Sequence, residues 1–238
     1  MSNVEHHLAH AALAHFLSPF ERSVVITLDG VGEYETLSVH LAEGCRLEKK
    51  VAMRMPNSLG LLYSFFTGFC GFAVNEGEYK LMGLAAFADP DYVAHIRPWI
   101  DLNLKDPRCA TALLQWSVPN AEPISPEFTR IFGAPFRPEK DDHLDPRFAA
   151  IAASVQLALE DEIVRLARAA LAQWDCDSLC LGGGIALNCN ANGRLRREVT
   201  PKLFVPPAPG DAGSALGAVL MKANRDPTIG KPRIPFTP

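Results

Sequence analysis

Ser23-Val24-Val25-Ile26-Thr27-Leu28-Asp29 is a β-branched, apolar run of strand length that ends in Asp29-Gly30-Val31-Gly32. Branched side chains pack well on a pleated surface, and Asp-Gly pairs favour turns, so the stretch predicts a buried strand closed by a tight turn. Downstream, Glu35 to Leu41 alternates as a second strand does, and Arg46 to Met53 supports a third. Consecutive strands joined by short turns predict an antiparallel meander.

Working outward, residues 5–17 are rich in alanine and leucine and stop at Ser18-Pro19, which predicts a short helix. Residues 57–87 read as mostly helical, with a break around Asn75-Glu76-Gly77-Glu78. Residues 90–146 are proline-rich and irregular, and are expected to form an insertion of short helices. From Arg147 to Trp174 the pattern is amphipathic, with Ile151, Val155, Leu159, Val164 and Leu171 largely on one stripe. Ser178 to Leu181 reads as a short buried strand running through Gly182-Gly183-Gly184 into a second helix. Lys202 to Val205 is the last strand, and Ser214 to Ala223 a small-residue helix. The order β-β-β-α-β-α-β-α is that of a ribonuclease-H-like lobe, the building block of the actin-like ATPases. The expected fold is therefore α/β, with a mixed five-stranded sheet and a helical insertion. Residues 1–22 would form a separate leading helix, 23–224 the lobe, and 225–238 a loose tail. There is no internal repeat.

The 238 residues, 48% hydrophobic and 21% charged, suit one large domain or two small ones. A net charge of −4 gives no general attraction to nucleic acid, and none is expected as a partner. Six cysteines without C-x-x-C spacing read as reduced thiols. Met1 to His7 has neither the basic region nor the apolar core of a signal peptide, so a cytoplasmic location is expected. Met55 to Asn75 carries no charged residue and is long enough to cross a bilayer. Pro56, Asn57, Ser58, Ser64, Thr67 and Asn75 dilute it, and the reading is a buried helix of a soluble core.

Chemistry is concentrated in a few places. In His6-His7-Leu8-Ala9-His10, His6 and His10 project from one face of a helix and can chelate one ion such as Zn, Fe or Ni. His7 and His10, three apart, compete for that role. Asp211, in Pro209-Gly210-Asp211-Ala212-Gly213, is a candidate third ligand, or equally a cap of the last helix. Two histidines and a carboxylate leave coordination positions open for phosphate or substrate oxygens. Asp29, delivered by a buried strand, can orient or deprotonate an acceptor hydroxyl, or simply form a turn. Leu181 to Asn188 places three glycines between a strand and a helix start, an anion-friendly arrangement that matches neither the P-loop nor the Rossmann spacing. Lys80 can neutralise phosphate, or serve as a surface charge.

Six stretches in this order resemble the O-carbamoyltransferases of the nodulation-factor and antibiotic-tailoring type. They are His6 to Ala12, Leu28 to Glu33, Ser58 to Ser64, Gly77 to Ala85, Gly183 to Cys189 and Pro209 to Ala218. The resemblance implies an actin-like ATPase fold and an ATP-dependent reaction. In that reaction carbamoyl phosphate yields carbamoyl-adenylate in a separate C-terminal domain, and the carbamoyl group then passes to an acceptor hydroxyl. Carried over by motif, His6, His10 and Asp211 match metal ligands, with iron the implied ion and zinc an alternative. Asp29 matches the residue that activates the acceptor, and Lys80, Gly83, Gly183, Gly184 and Asn188 fall in motifs lining the nucleotide. Gly83-Leu84-Ala85-Ala86-Phe87-Ala88 departs from the family's Gly-Leu-Ala-Pro-Tyr-Gly. Family members are much longer, so the first lobe and the adenylate-forming domain are expected to lie outside this stretch.

Three functional expectations follow. The first is a carbamoyl-transfer fragment or subunit, completed by another chain, by a longer product or through self-association. The second is a catalytically incomplete module that keeps nucleotide or metal binding. A stand-alone metal-dependent hydrolase is the third.

Overall fold

The apolar run at the start of the chain forms the middle of a sheet because its side chains are buried on both sides. In the computed structural model, which describes residues 3–109, 126–137 and 145–224, helix α1 (His6–Leu17) leads into strands β1 (Arg22–Gly32), β2 (Glu35–Glu43) and β3 (Arg46–Arg54). Helices α2 (Leu59–Phe69), α3 (Glu78–Leu84) and α4 (Val93–Ile96) follow, then a small hairpin of β4 (Ile100–Asp101) and β5 (Arg108–Cys109). Next come α5 (Pro126–Phe132), the long α6 (Pro146–Gln173), β6 (Leu179–Gly182), α7 (Cys189–Glu198), β7 (Leu203–Phe204) and α8 (Asp211–Ala223).

Among the described residues the main sheet is five-stranded, in the order β3-β2-β1-β6-β7. The first three strands form the expected antiparallel meander, with Val25 opposite His40. β6 and β7 then add parallel to β1, so the sheet is mixed. The expected α/β architecture is therefore observed.

Strand alternation divides β1 between two layers. Val24, Ile26 and Leu28 point into the main core with α2 and α6, including Leu62, Phe66, Ile151, Val155 and Leu159. Val25 points the other way, onto Ala11 and Ala14 of α1. Thr27 and Asp29 share Val25's parity, and this brings Asp29 to the α1 side.

The expected insertion at 90–146 is described only in part. Its described residues hold α4, the β4–β5 hairpin and α5, while the remainder, like the tail expected at 225–238, lies outside the described residues. Trp99, Phe128 and Phe132 pack around Phe66, with the Phe128 and Phe132 ring centroids 4.4 Å apart. Phe66, Phe128 and Phe132, all buried, each contribute about 1.5–3 kcal/mol of transfer free energy. The apolar stretch around α2 is thus the floor of an aromatic core, and no helix among the described residues is long and apolar enough to cross a membrane.

Two local expectations are corrected. Asp29-Gly30-Val31-Gly32 is not a turn: β1 continues to Gly32 through an irregularity in register, and the chain reverses at Glu33, whose φ is 57°. Strand pairing with Glu35 at its far end outweighs the local turn preference of Asp-Gly. The glycine triplet does not open directly into an α-helix either. A single 3-10 turn, Gly184–Leu187, intervenes, and α7 starts at its own cap, Asn188.

α8 lies directly on α1. Leu220 and Met221 pack on Ala12, Leu13 and Phe16, and a Cβ on Gly217 would collide with the carbonyl oxygen of Ala9. This approach joins the helix carrying His6 and His10 to the one carrying Asp211. Gly217→Val should separate them, lowering stability by about 1–3 kcal/mol in urea denaturation and weakening any metal bound between them. An unchanged denaturation midpoint would show that the two helices do not touch there.

Candidate metal centre

Three elements converge at one end of the sheet. The first two turns of α1 supply His6 and His10, one helical turn apart on the same face. β1 supplies Asp29 and the first residue of α8 supplies Asp211. The N-cap of α8 is Gly210, without a side-chain cap, so Asp211 does not cap the helix. Its charge still sits favourably in the first turn, at the positive end of the helix dipole.

Four donor atoms, His6 Nε2, His10 Nε2, an Asp29 oxygen and an Asp211 oxygen, all lie within 4.8 Å of one another. The two Nε2 atoms are 2.9 Å apart. Asp29 Oδ2 is 3.2 Å from His6 and 3.1 Å from His10, and Asp211 Oδ1 is 3.3 Å from each. Donors about 2.1 Å from one transition-metal ion, at angles near tetrahedral or square, lie roughly 3.0–3.4 Å apart. The four ring-to-carboxylate spacings fall within that interval, and the 2.9 Å between the ring nitrogens lies just below it.

Proton bookkeeping points the same way. Carboxylates only accept hydrogen bonds. If both Nε2 atoms carry hydrogens, two N–H groups face each other; if one does not, its lone pair faces two carboxylate oxygens. Either arrangement opposes like groups, and a cation at the centre removes the conflict. The donor set, two imidazoles and two carboxylates, suits iron or zinc. His10 is fully buried and its Nδ1 has no hydrogen-bond partner among the described residues.

Asp29 is held at about 2: burial raises its pKa, but hydrogen bonds from His10, the Gly30 N–H and His6 lower it by more. It is ionised throughout the neutral range. This carboxylate, read from sequence as the acceptor-activating group, thus stands within the donor cluster itself.

His7 is not a competing ligand. Its Nε2–H donates to the carbonyl oxygen of Glu35 at 2.9 Å, and its Nδ1 meets Thr27 Oγ1 at 2.6 Å. Burial holds its pKa down at about 4, so the ring is neutral and Nδ1 accepts from the Thr27 hydroxyl. Thr27 in turn accepts from Ser38 at 2.6 Å, and Ser38 from His40 Nδ1 at 3.3 Å. This buried chain was not apparent in the sequence. The available signal was the parity of β1, which puts Thr27 on the same face as Asp29.

The residues expected to line a nucleotide are distributed differently. Gly183, with φ +85°, lies where a Cβ would collide with the Leu28 carbonyl oxygen, and Gly184 lies beside Asp29. Both therefore flank the cluster. The Asn188 amide is committed: Oδ1 accepts from Ala191 N–H at 3.0 Å and from Gln156 Nε2 at 2.9 Å, and Nδ2 donates to Gln156 Oε1 at 2.9 Å. Lys80 and Gly83 sit exposed on α3, and Lys80 has no ion-pair partner among the described residues.

The family described as "Carbamoyltransferase N-terminus" matches residues 1–220. Protein sll1178 of Synechocystis sp. is 44% identical over 220 residues, covering 91% of this chain and 35% of that protein. Nodulation protein NolNO of Sinorhizobium fredii is 33% identical, covering 94% and 31%, and nodulation protein NolO of Bradyrhizobium diazoefficiens is 32% identical, covering 96% and 39%. The chain spans about a third of the length of these relatives. A crystal structure of HypF from T. kodakarensis aligns with a TM-score of 0.47 at 18% identity, covering 92% of this chain and 36% of that one.

Burial also holds His40 down at about 3, with Lys49 and His7 adding to the effect. Because the folded rings of His7 and His40 refuse protons that the unfolded chain accepts, stability is unaffected above pH ~6.5 and falls as pH drops below it. The loss approaches about 1.4 kcal/mol per pH unit for each ring until the folded pKa is reached. His40→Asn should flatten this slope between pH 6 and 4 in urea titrations. An unaltered slope would mean that His40 is not buried neutral.

Proposed function

This chain belongs to the carbamoyltransferase N-terminus family, and from that premise we propose that it is the metal-holding part of an ATP-dependent O-carbamoyltransferase. The reaction would move a carbamoyl group from carbamoyl-adenylate to the hydroxyl of a small-molecule acceptor. Carbamoyl phosphate would enter through a part of the enzyme outside this chain. The observation carrying the proposal is the convergence of His6, His10, Asp29 and Asp211 in a family whose description names carbamoyl transfer. The sheet order, an antiparallel meander continued by two parallel strands, supports placing the fold among the ribonuclease-H-like lobes of actin-like ATPases.

His6, His10 and Asp211 would hold the ion, iron by preference, with Asp29 completing the donor set. Such an ion supplies positive charge beside a phosphate leaving group and an acyl oxygen. The role of Asp29 is to accept the acceptor's O–H hydrogen bond and aim its oxygen at the carbamoyl carbon. As that C–O bond forms, the hydroxyl becomes far more acidic, so even a carboxylate held at about 2 can take the proton. The bond from the carbamoyl carbon to the adenylate oxygen breaks, and AMP leaves with the electron pair. Gly183 lets its loop pack against the Leu28 backbone, and Gly184 leaves space at the rim beside Asp29 Oδ1 for substrate to approach. Asn188 would act by capping α7 and shaping that rim, and Lys80 and Gly83 would reach the nucleotide from α3.

A second reading is a module that binds metal or nucleotide without turnover of its own; the Asn188 amide, occupied by Gln156 and the Ala191 N–H, favours it. Under the first reading a complementing chain or the remaining domains would restore activity, and under the second they would not. Metal analysis of the purified protein combined with calorimetry of a non-hydrolysable ATP analogue tests both. About one equivalent of iron, lost in His6→Ala and His10→Ala, is expected under either; measurable analogue binding, and carbamoylation on adding the remaining domains, are expected under the first. Full metal stoichiometry in the double variant would overturn the ligand assignment.

A further inference from the structure

Helix α1 is fastened to the sheet at two points of the same design. His7 places Nδ1 on the hydroxyl of Thr27 at 2.6 Å and Nε2 on the carbonyl of Glu35 at 2.9 Å. His15 places Nδ1 on the hydroxyl of Ser23 at 2.8 Å and Nε2 on the carbonyl of Gly44 at 3.1 Å. All four of His7, His15, Ser23 and Thr27 are buried. The spacings correspond: eight helical residues rise about 12 Å, and four strand residues about 13 Å. The helix therefore lies antiparallel to β1 with one fastening near each end.

The two fastenings are not equivalent in what they adjoin. His15 and Ser23 lie at the far end of α1. His7 stands between His6 and His10 in the same turn, with its ring centroid 5.7 and 6.3 Å from theirs. Its partner Thr27 lies two residues before Asp29 on the same face of β1, and its other partner, Glu35, starts the strand paired with Gly32. The His7–Thr27 bond thus couples the helix that supplies two donors to the strand that supplies a third.

We propose that His7, through Thr27, is a positioning residue for the His6–His10–Asp29 donor set. It fixes the rotation of α1 about its axis, and with it the separation between the imidazole pair and the Asp29 carboxylate. His15 fastens the same helix but does not position donors. This inference rests on the metal-centre reading of the site.

The test compares His7→Ala and Thr27→Val with His15→Ala and Ser23→Ala in the full chain. Co²⁺ titration gives the affinity and the visible d–d spectrum, urea denaturation the stability, and NMR the ring resonances of His6 and His10 in metal-free protein. Expected is a 10–100-fold weaker Co²⁺ affinity with an altered spectrum for the first pair. The second pair should stay within about threefold of the parent, even where it loses as much stability. His6 and His10 resonances should likewise shift only in the first pair. Equal effects at both fastenings, or unchanged affinity and resonances in His7→Ala and Thr27→Val, would overturn the proposal. If the parent protein takes up no Co²⁺, the metal-centre reading fails, and the ring resonances alone decide the positioning role.

Discussion

The seating of α1 on β1 governs the rest of this molecule. Ala11 and Ala14 are small enough for the helix to lie close against Val25, and the ring nitrogens of His7 and His15 satisfy buried hydroxyls and carbonyls along the contact. A buried polar group left without a partner costs about 1–3 kcal/mol, so the two fastenings hold the helix in one register along β1, and the His7 pair, in the donor-bearing part of α1, sets its rotation there. Only that rotation sends His6 and His10 toward Asp29.

Packing then closes the site from the second side. α8 can lie on α1 because glycine at 217 leaves the Ala9 carbonyl uncovered, and the contact is sealed by Leu220 and Met221. The opposite layer, with Phe66, Phe128 and Phe132 around α2 and α6, holds β1 rigid from behind. Donors spread from residue 6 to residue 211 therefore meet on elements whose positions are set by burial rather than by the ligand atoms themselves. Such support is what a preorganised centre requires.

Electrostatics follow from this arrangement. Asp29 remains ionised because hydrogen bonds overcome its burial, whereas burial keeps His7 neutral against the pull of Glu35 and Asp29 and keeps His40 neutral with Lys49 and His7 adding to the effect. Neutral rings are what the chain from His40 through Ser38 and Thr27 to His7 needs, since its last acceptor is a backbone carbonyl. The protein thus keeps negative charge at the donor cluster and leaves the rings of His7 and His40 uncharged.

Local pattern alone determined much of this protein. The β-branched run at 23–29, the stripe from Ile151 to Leu171 and the histidine spacing in α1 specify strand, helix and a chelating pair, because backbone geometry repeats every two or 3.6 residues. The same spacing could not choose between His6 and His7 as the partner of His10. That choice depends on how α1 is rotated against the sheet, which contacts 20 and 28 residues away decide for His7. Nor could the motif around Asp29 reveal that strand pairing would suppress its turn and carry it among the donors. Asn188 shows the same limit: its neighbours in sequence suggest a ligand contact, yet Gln156, 32 residues away, occupies its amide. Periodicity is a property of the chain, but which face meets which partner is settled only when the layers pack.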